Sequence, residues 1–357
     1  MMTSKILEKA LNGERISPEE AVRLFETTDM LLLGNIASRI SRKKLKERVV
    51  TYIVDRNINY TNICITDCAF CAFYRKEDDK EAYVHPFETI ARKIEETIAL
   101  GGRQILLQGG HNINLKIDYF EDLFRRIKER FDIHLHALSP PEIVHTAKIS
   151  KLTIVDTLNR LNDAGLDSIP GGGAEILVDR VRQKISPHKC STREWLDVMD
   201  CAHGMNIPTT ATMMFGHVET VEDRVEHLRR IRDQQDKTMG FTAFIPWPFQ
   251  PGRTELGLDH DISSQVTGLD YLKTLAISRI FLDNFDNLQS SWVTQGPKVG
   301  QMALYYGAND MGSTMLEENV VRAAGTVHCL NEEDIRRIIT DSGFKPQRRN
   351  MRYERVN

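Results

Sequence analysis

Short apolar runs separated by longer stretches of helical periodicity recur along most of this 357-residue chain. That alternation specifies parallel strands joined by crossover helices. Runs near 58–64, 103–108, 133–138, 166–170, 208–214, 241–246, 287–293 and 307–311 read as strands, each leading to a helix or a turn. Eight such units predict an α/β fold closed as a TIM-type (β/α)8 barrel. After residue 285 the runs shorten, which leaves a six-stranded open barrel as the alternative. The clearest helix starts at Pro86 and ends before Gly101-Gly102, where helix termini tolerate proline and glycine.

Residues 1–50 read as an N-terminal helical extension. Ser17-Pro18-Glu19-Glu20 supplies a cap, a proline and two acids in a first turn, followed by apolar residues at helical spacing. No linker rich in Pro, Gly or Ser divides the rest, so 51–340 is expected to be one barrel domain and 341–357 a C-terminal tail. The 47 basic and 50 acidic residues are interspersed, which gives no electrostatic reason for a nucleic-acid partner. The N-terminus lacks the apolar core of a secretory signal, and no window reaches the roughly 18 apolar residues of a membrane span. A cytoplasmic protein without membrane insertion, acting on a small molecule, is expected.

Three of the six cysteines fall in one short segment, Cys64-Ile-Thr-Asp-Cys68-Ala-Phe-Cys71, directly after the first strand run. That is the C-terminal mouth of a barrel, where such folds place their chemistry. Three thiolates can ligate three irons of a 4Fe-4S cubane and leave the fourth iron open to a small molecule. A structural zinc site with His85 or Cys190 as fourth ligand is the first alternative, although structural zinc usually takes two paired knuckles and no second one exists here. An electron-transfer cluster is the other, and it would want a further cysteine.

The spacing C-x3-C-x-aromatic-C resembles that of the radical S-adenosylmethionine (radical SAM) superfamily. The resemblance implies that Cys64, Cys68 and Cys71 hold the cluster, that Phe70 lies near the adenine of S-adenosylmethionine, and that Gly109 and Gly110 bind its methionine portion. It extends through Asn57-Ile-Asn-Tyr-Thr-Asn-Ile-Cys64, Cys71-Ala-Phe-Tyr-Arg75, Leu107-Gln-Gly-Gly-His111, Gly171-Gly-Gly-Ala-Glu-Ile176, Met214-Phe-Gly-His217 and Gly307-Ala-Asn-Asp310. Together these are similar to the group containing the menaquinone futalosine-pathway enzymes and the deazaflavin synthase subunits. Phe-Tyr-Arg75 and Ser291-Trp-Val-Thr-Gln-Gly-Pro-Lys-Val-Gly-Gln301 resemble most its futalosine-cyclising branch. That branch implies a nucleoside substrate, dehypoxanthine futalosine, and an external one-electron reductant of flavodoxin or ferredoxin type. A deoxyadenosyl radical would take hydrogen from ribose carbon 4′, and the carbon radical would close onto the benzoate ring.

Beyond the cysteines, His134 and His136 alternate with Ile133 and Leu135 at strand period, so both histidines face one side. His136 and Ser139 are expected at the cofactor, with satisfied core histidines the alternative. Glu175 and Arg182 share a face if their segment is helical, and could meet a ribose and the methionine carboxylate; a mutual salt bridge is the alternative. Phe244-Ile-Pro-Trp-Pro-Phe249 is either an apolar wall beside the adenine or a rigid loop on the core. Tyr74, Arg75, His111, Thr294, Gln295, Asn309 and Asp310 are candidate substrate contacts, against ordinary turn, cap or solvated roles. The base that takes the final proton is not assignable from these residues.

Overall fold

Eight parallel segments close into a ring in the computed structural model, which describes residues 2–45, 47–258, 262 and 266–356. β1 (Val49–Ile53) and β2 (Asp55–Asn59) follow one another along one line of the ring, and β2 pairs in parallel with β3 (Gln104–Gln108) from Asp55 opposite Gln104 to Asn59 opposite Gln108. β3 pairs with β4 (His134–Ala137). The fourth position is reduced to two bridges, His136 to Ser168 and Ile169 to Thr209. β5 (Thr209–Phe215) pairs with β6 (Phe241–Pro248) over its full length. Bridges from Phe244 to Leu288 and from Gln289 to β7 (Asp310–Ser313) form the seventh position, and β7 returns to β1. The ring is therefore closed, and the open six-stranded alternative does not hold.

β5 is buried along nearly all of its length, which is why it reads as an unbroken apolar-and-threonine run rather than an alternating one. The helix Phe87–Ala99 lies where the sequence predicts it. Helices Met2–Leu11, Pro18–Phe25 and Met30–Lys44 form the N-terminal layer outside the ring. Ser17 caps the second of these reciprocally, its Oγ accepting from Glu20 N at 3.2 Å while Ser17 N donates to Glu20 Oε2 at 2.7 Å.

Three boundaries differ from the sequence reading. The first strand ends at Asn59 rather than running to 64, because the chain there turns into the cysteine segment. The last strand runs 310–313 rather than 307–311. Gly307 takes φ 102° where the chain reverses, and its carbonyl accepts from the buried Arg279 Nε at 2.9 Å, so the strand cannot begin before that turn. The segment after 341 is no loose tail: β8 (Lys345–Arg348) adds in parallel to β1, and the next residue, Arg349, enters the ring. Among the described residues no helix is long and apolar enough to cross a membrane.

Candidate active site

The cysteine segment leaves the C-terminal end of β2 and is tied down by backbone contacts. Cys64 N donates to Arg75 O at 3.0 Å and Arg75 N to Asn62 O at 2.8 Å, which closes the loop at its base. Cys71 N donates to Cys68 O at 2.9 Å, a turn that brings the second and third cysteines together. Thr66 Oγ1 lies 3.0 Å from Cys64 Sγ and 3.5 Å from Cys68 Sγ. Burial pushes the Cys68 thiol up to about 11, with Lys189 opposing, so a thiolate at Cys68 requires positive charge beside it. Iron would supply that charge.

The donor set fits a cubane better than a single ion. Among the described residues no three His, Cys, Asp or Glu side chains converge on one metal position; a cubane instead gives each thiolate its own iron. Both fourth ligands that zinc would need are engaged elsewhere. His85 stacks on Tyr83 at 4.2 Å, and Cys190 Sγ faces Arg182 Nη2 at 3.8 Å.

Gly109 and Gly110 follow β3 as expected, and the direction in which a side chain would leave each is filled by protein. A Cβ on Gly109 would sit 2.6 Å from the Tyr60 ring, and one on Gly110 would overlap the Ile63 carbonyl and the Cys64 Cβ. The glycines thus let the loop after β3 pack against the cysteine loop. The buried Glu142 carboxylate holds this arrangement, accepting from Gly109 N at 2.9 Å, Tyr60 OH at 2.9 Å, Ser139 N at 2.8 Å and Ser139 Oγ at 2.6 Å. Ser139 is therefore spent on capping the helix Pro140–Ser150. Gly110→Ala is expected to destabilise the chain by about 1–3 kcal/mol, the usual cost of overpacking, and to lower iron content on reconstitution. Denaturation midpoints and iron analysis check both.

Across the mouth, the loop Gly171–Glu175 gathers a charged cluster. Glu175 sits in the left-handed region at φ 41°, not in a helix, and its Oε1 accepts from Lys189 Nζ at 2.9 Å. Glu175 Oε2 is buried without a hydrogen bond, and Arg182 Nη1 stands 3.6 Å from it. Lys189 Nζ in turn stands 5.0 Å from the Phe70 ring centre. Arg182 gives all its donors to the loop's own framework, Nε and Nη2 to Cys190 O and Nη1 to the Gly173 and Ala174 carbonyls. It holds the glycine loop and is not free for a carboxylate. Lys189 is missed by the sequence reading; it lies between helices, where no periodic pattern marks it.

Inside the ring is a cavity of about 280 Å³ lined by polar side chains such as Asn57, Gln104 and Thr210 and by apolar ones such as Leu106 and Ile245. His136, Gln108, Trp247, Thr294 and Glu318 line it. The expected apolar wall is β6, with Ile245 and Trp247 turned inward and Phe244 packed on Phe285 in the core. Asn57 Oδ1 and Gln104 Oε1 line the same space, buried without partners. Burial raises the Glu318 and Asp55 carboxyls, against hydrogen bonds from Asn57 and from Ser313 and Gln104 respectively.

Several expected substrate contacts lie elsewhere. Arg75 clamps its own loop, donating to the Ala72, Phe73 and Tyr74 carbonyls and to Glu81. Tyr74 is half-buried, its phenol raised by burial and then by Asp67 and Glu255, and does not line the cavity. His111 stacks on His145 at 5.0 Å behind the glycine loop. Gln295 does not reach the cavity, whereas Thr294 does. Asn309 and Asp310 open β7, at the end of the ring opposite the cysteines. Asn309 binds Arg279 and Leu288 N, and Asp310 pairs with Arg349. The late start of β7 moves them from mouth to floor.

Residues 58–231 match the Radical SAM superfamily, and residues 238–357 match the CofH/MqnC C-terminal region. The chain is 48% identical over 355 residues to the cyclic dehypoxanthine futalosine synthase of Halalkalibacterium halodurans, covering 99% of this chain and 95% of that one. It is 42% identical to a 5-amino-6-(D-ribitylamino)uracil–L-tyrosine 4-hydroxyphenyl transferase of Methanothermobacter thermautotrophicus (99% and 98% covered) and 38% identical to the aminodeoxyfutalosine synthase of Thermus thermophilus (98% and 95%). Among solved structures, methylornithine synthase superposes with TM-score 0.74 at 16% identity over 96% of this chain and 97% of that one, which shows the shared barrel fold.

Proposed function

This chain belongs to the radical SAM superfamily, as an enzyme with the CofH/MqnC C-terminal region, and from that premise we propose that it cyclises dehypoxanthine futalosine in menaquinone biosynthesis. The observation that carries the reading is the 48% identity, over nearly the whole of both chains, to a protein named for that reaction. The sibling transferase and synthase are less similar over comparable lengths.

Enzymes of this superfamily use a 4Fe-4S cluster and S-adenosylmethionine, which together supply a 5′-deoxyadenosyl radical from one electron of an external reductant. The residues fit that pair. Cys64, Cys68 and Cys71 would hold three irons. Glu175, with one buried oxygen lacking a donor, would accept from a ribose hydroxyl, and Lys189, which holds its other oxygen, stands beside the Phe70 ring. The lumen would hold the nucleoside. Asn57 and Gln104 offer it bare carbonyl oxygens, and His136 and Thr294 face it from two sides. A closed ring with β8 against its floor suits an intermediate that water or a stray hydrogen donor would quench.

The test is anaerobic reconstitution followed by incubation with S-adenosylmethionine, reductant and dehypoxanthine futalosine. The expected outcome is free 5′-deoxyadenosine together with a product lighter than the substrate by two hydrogens. In a parallel incubation with the sibling synthase's enolpyruvyl substrate, an adenosyl adduct, with dehypoxanthine futalosine left unchanged, would assign the sibling reaction instead.

A further inference from the structure

A hydroxyl wedged between two imidazoles links two cavities of the barrel. His134 and His136 stand two residues apart on β4 and point the same way, while Leu135 between them is buried on the helix side. Ser168 Oγ lies 2.7 Å from His136 Nδ1 and 2.7 Å from His134 Nε2. His136 lines the lumen. His134 lines a second cavity of about 320 Å³ at the N-terminal end of the ring, bounded also by Arg103, Arg348 and Arg349. Burial keeps both rings neutral at ordinary pH. His134 is lowered to about 4, Asp167 opposing and Lys128 and Arg352 adding to the fall. His136 is lowered further by burial, His134 and Arg349, with the Ser168 backbone opposing. A neutral imidazole has one N–H and one lone pair, and a hydroxyl can donate while it accepts, so the three groups can align head to tail.

We propose that His136, Ser168 and His134 form a proton line from the lumen to the cavity at the opposite end, with His136 accepting a proton released in the lumen. The source of that proton rests on the cyclisation reading. Once the ribose carbon has bonded to the benzoate ring, the C–H bond at the attacked carbon breaks and its electron pair stays on the ring. The proton bonds to His136 Nε2, the Nδ1 hydrogen passes to Ser168 Oγ, the hydroxyl hydrogen passes to His134 Nε2, and the His134 Nδ1 hydrogen leaves toward the lower cavity. The surplus electron on the ring departs to a one-electron acceptor of iron–sulfur class. His136 is the acceptor; Ser168 and His134 act through it.

Two measurements on the full chain separate the line from the reaction it serves. Isotopically labelled histidine, with signals assigned by H134Q and H136Q, reports which ring nitrogens carry hydrogen. Of the two nitrogens facing Ser168, His136 Nδ1 protonated and His134 Nε2 bare is the expected pattern; the reverse pattern, or both protonated or both bare, overturns the line, whatever the activity. In the reconstituted enzyme, Ser168→Ala is expected to lower the ratio of cyclised product to 5′-deoxyadenosine about 100-fold, within the range of a positioned acid–base group. Ser168→Thr, which keeps the hydroxyl, is expected to restore the ratio. An unchanged ratio in Ser168→Ala, with the parent's solvent isotope effect, overturns the line's role. A parent chain that leaves dehypoxanthine futalosine untouched sinks the cyclisation reading instead, and the nitrogen pattern still decides the line.

Discussion

Cys68→Ala, reconstituted beside the parent chain, is expected to lack the brown chromophore and to release no 5′-deoxyadenosine. Cys68 is the most buried of the three clustered cysteines, 5% exposed, and shares the Thr66 hydroxyl with Cys64. Alanine would remove one of the three proposed iron ligands, a set with none to spare. No neighbour can substitute, since Cys190 is turned to Arg182 and His85 to Tyr83. Cys329→Ala, at an exposed position outside this loop, should keep both properties. Visible absorption, iron content and 5′-deoxyadenosine release check the pair. Cleavage surviving in Cys68→Ala would show that the cluster is held by other residues.

The second large effect is on stability. Arg349→Met is expected to destabilise the chain by about 3–5 kcal/mol, the cost of leaving a buried charge without its partner. Arg349 reaches Asp310 with two nitrogens, at 2.6 and 2.9 Å, and neither side chain exceeds 3% exposure. Asp310 also accepts from Thr51 Oγ1 at 2.5 Å and Gly312 N at 2.8 Å, so β1, β7 and the chain after β8 meet at one carboxylate. Removing both charges, as Arg349→Met with Asp310→Asn, should recover much of the loss. Denaturant midpoints with unchanged slopes measure this. A loss under about 1 kcal/mol for Arg349→Met would mean that the pair does not hold the C-terminal segment against the floor.

What the sequence shows of this site depends on how local each signal is. The cysteine loop is legible because three cysteines fall within one turn-rich segment after a strand. The inward direction of His134 and His136 is legible because strand period is two, and Leu135 between them is fully buried. Asn309 and Asp310 are misplaced because a short apolar run locates a strand without telling its first residue from its last. The turn at Gly307 shifts β7 by three residues and carries both side chains to the floor. Arg75 and Arg182 look available in sequence, yet each spends its donors on nearby backbone carbonyls, which no pattern of residue types records. The β8 strand Lys-Pro-Gln-Arg carries no apolar alternation, so its pairing with β1 comes from tertiary context alone.

The most direct measurement of the central claim uses dehypoxanthine futalosine bearing deuterium at ribose carbon 4′. With the reconstituted chain, S-adenosylmethionine and reductant, deuterium should appear in 5′-deoxyadenosine as the cyclised nucleoside forms in equal amount. Unlabelled 5′-deoxyadenosine beside a cyclised product, or an adenosylated adduct that keeps the deuterium, would contradict the account.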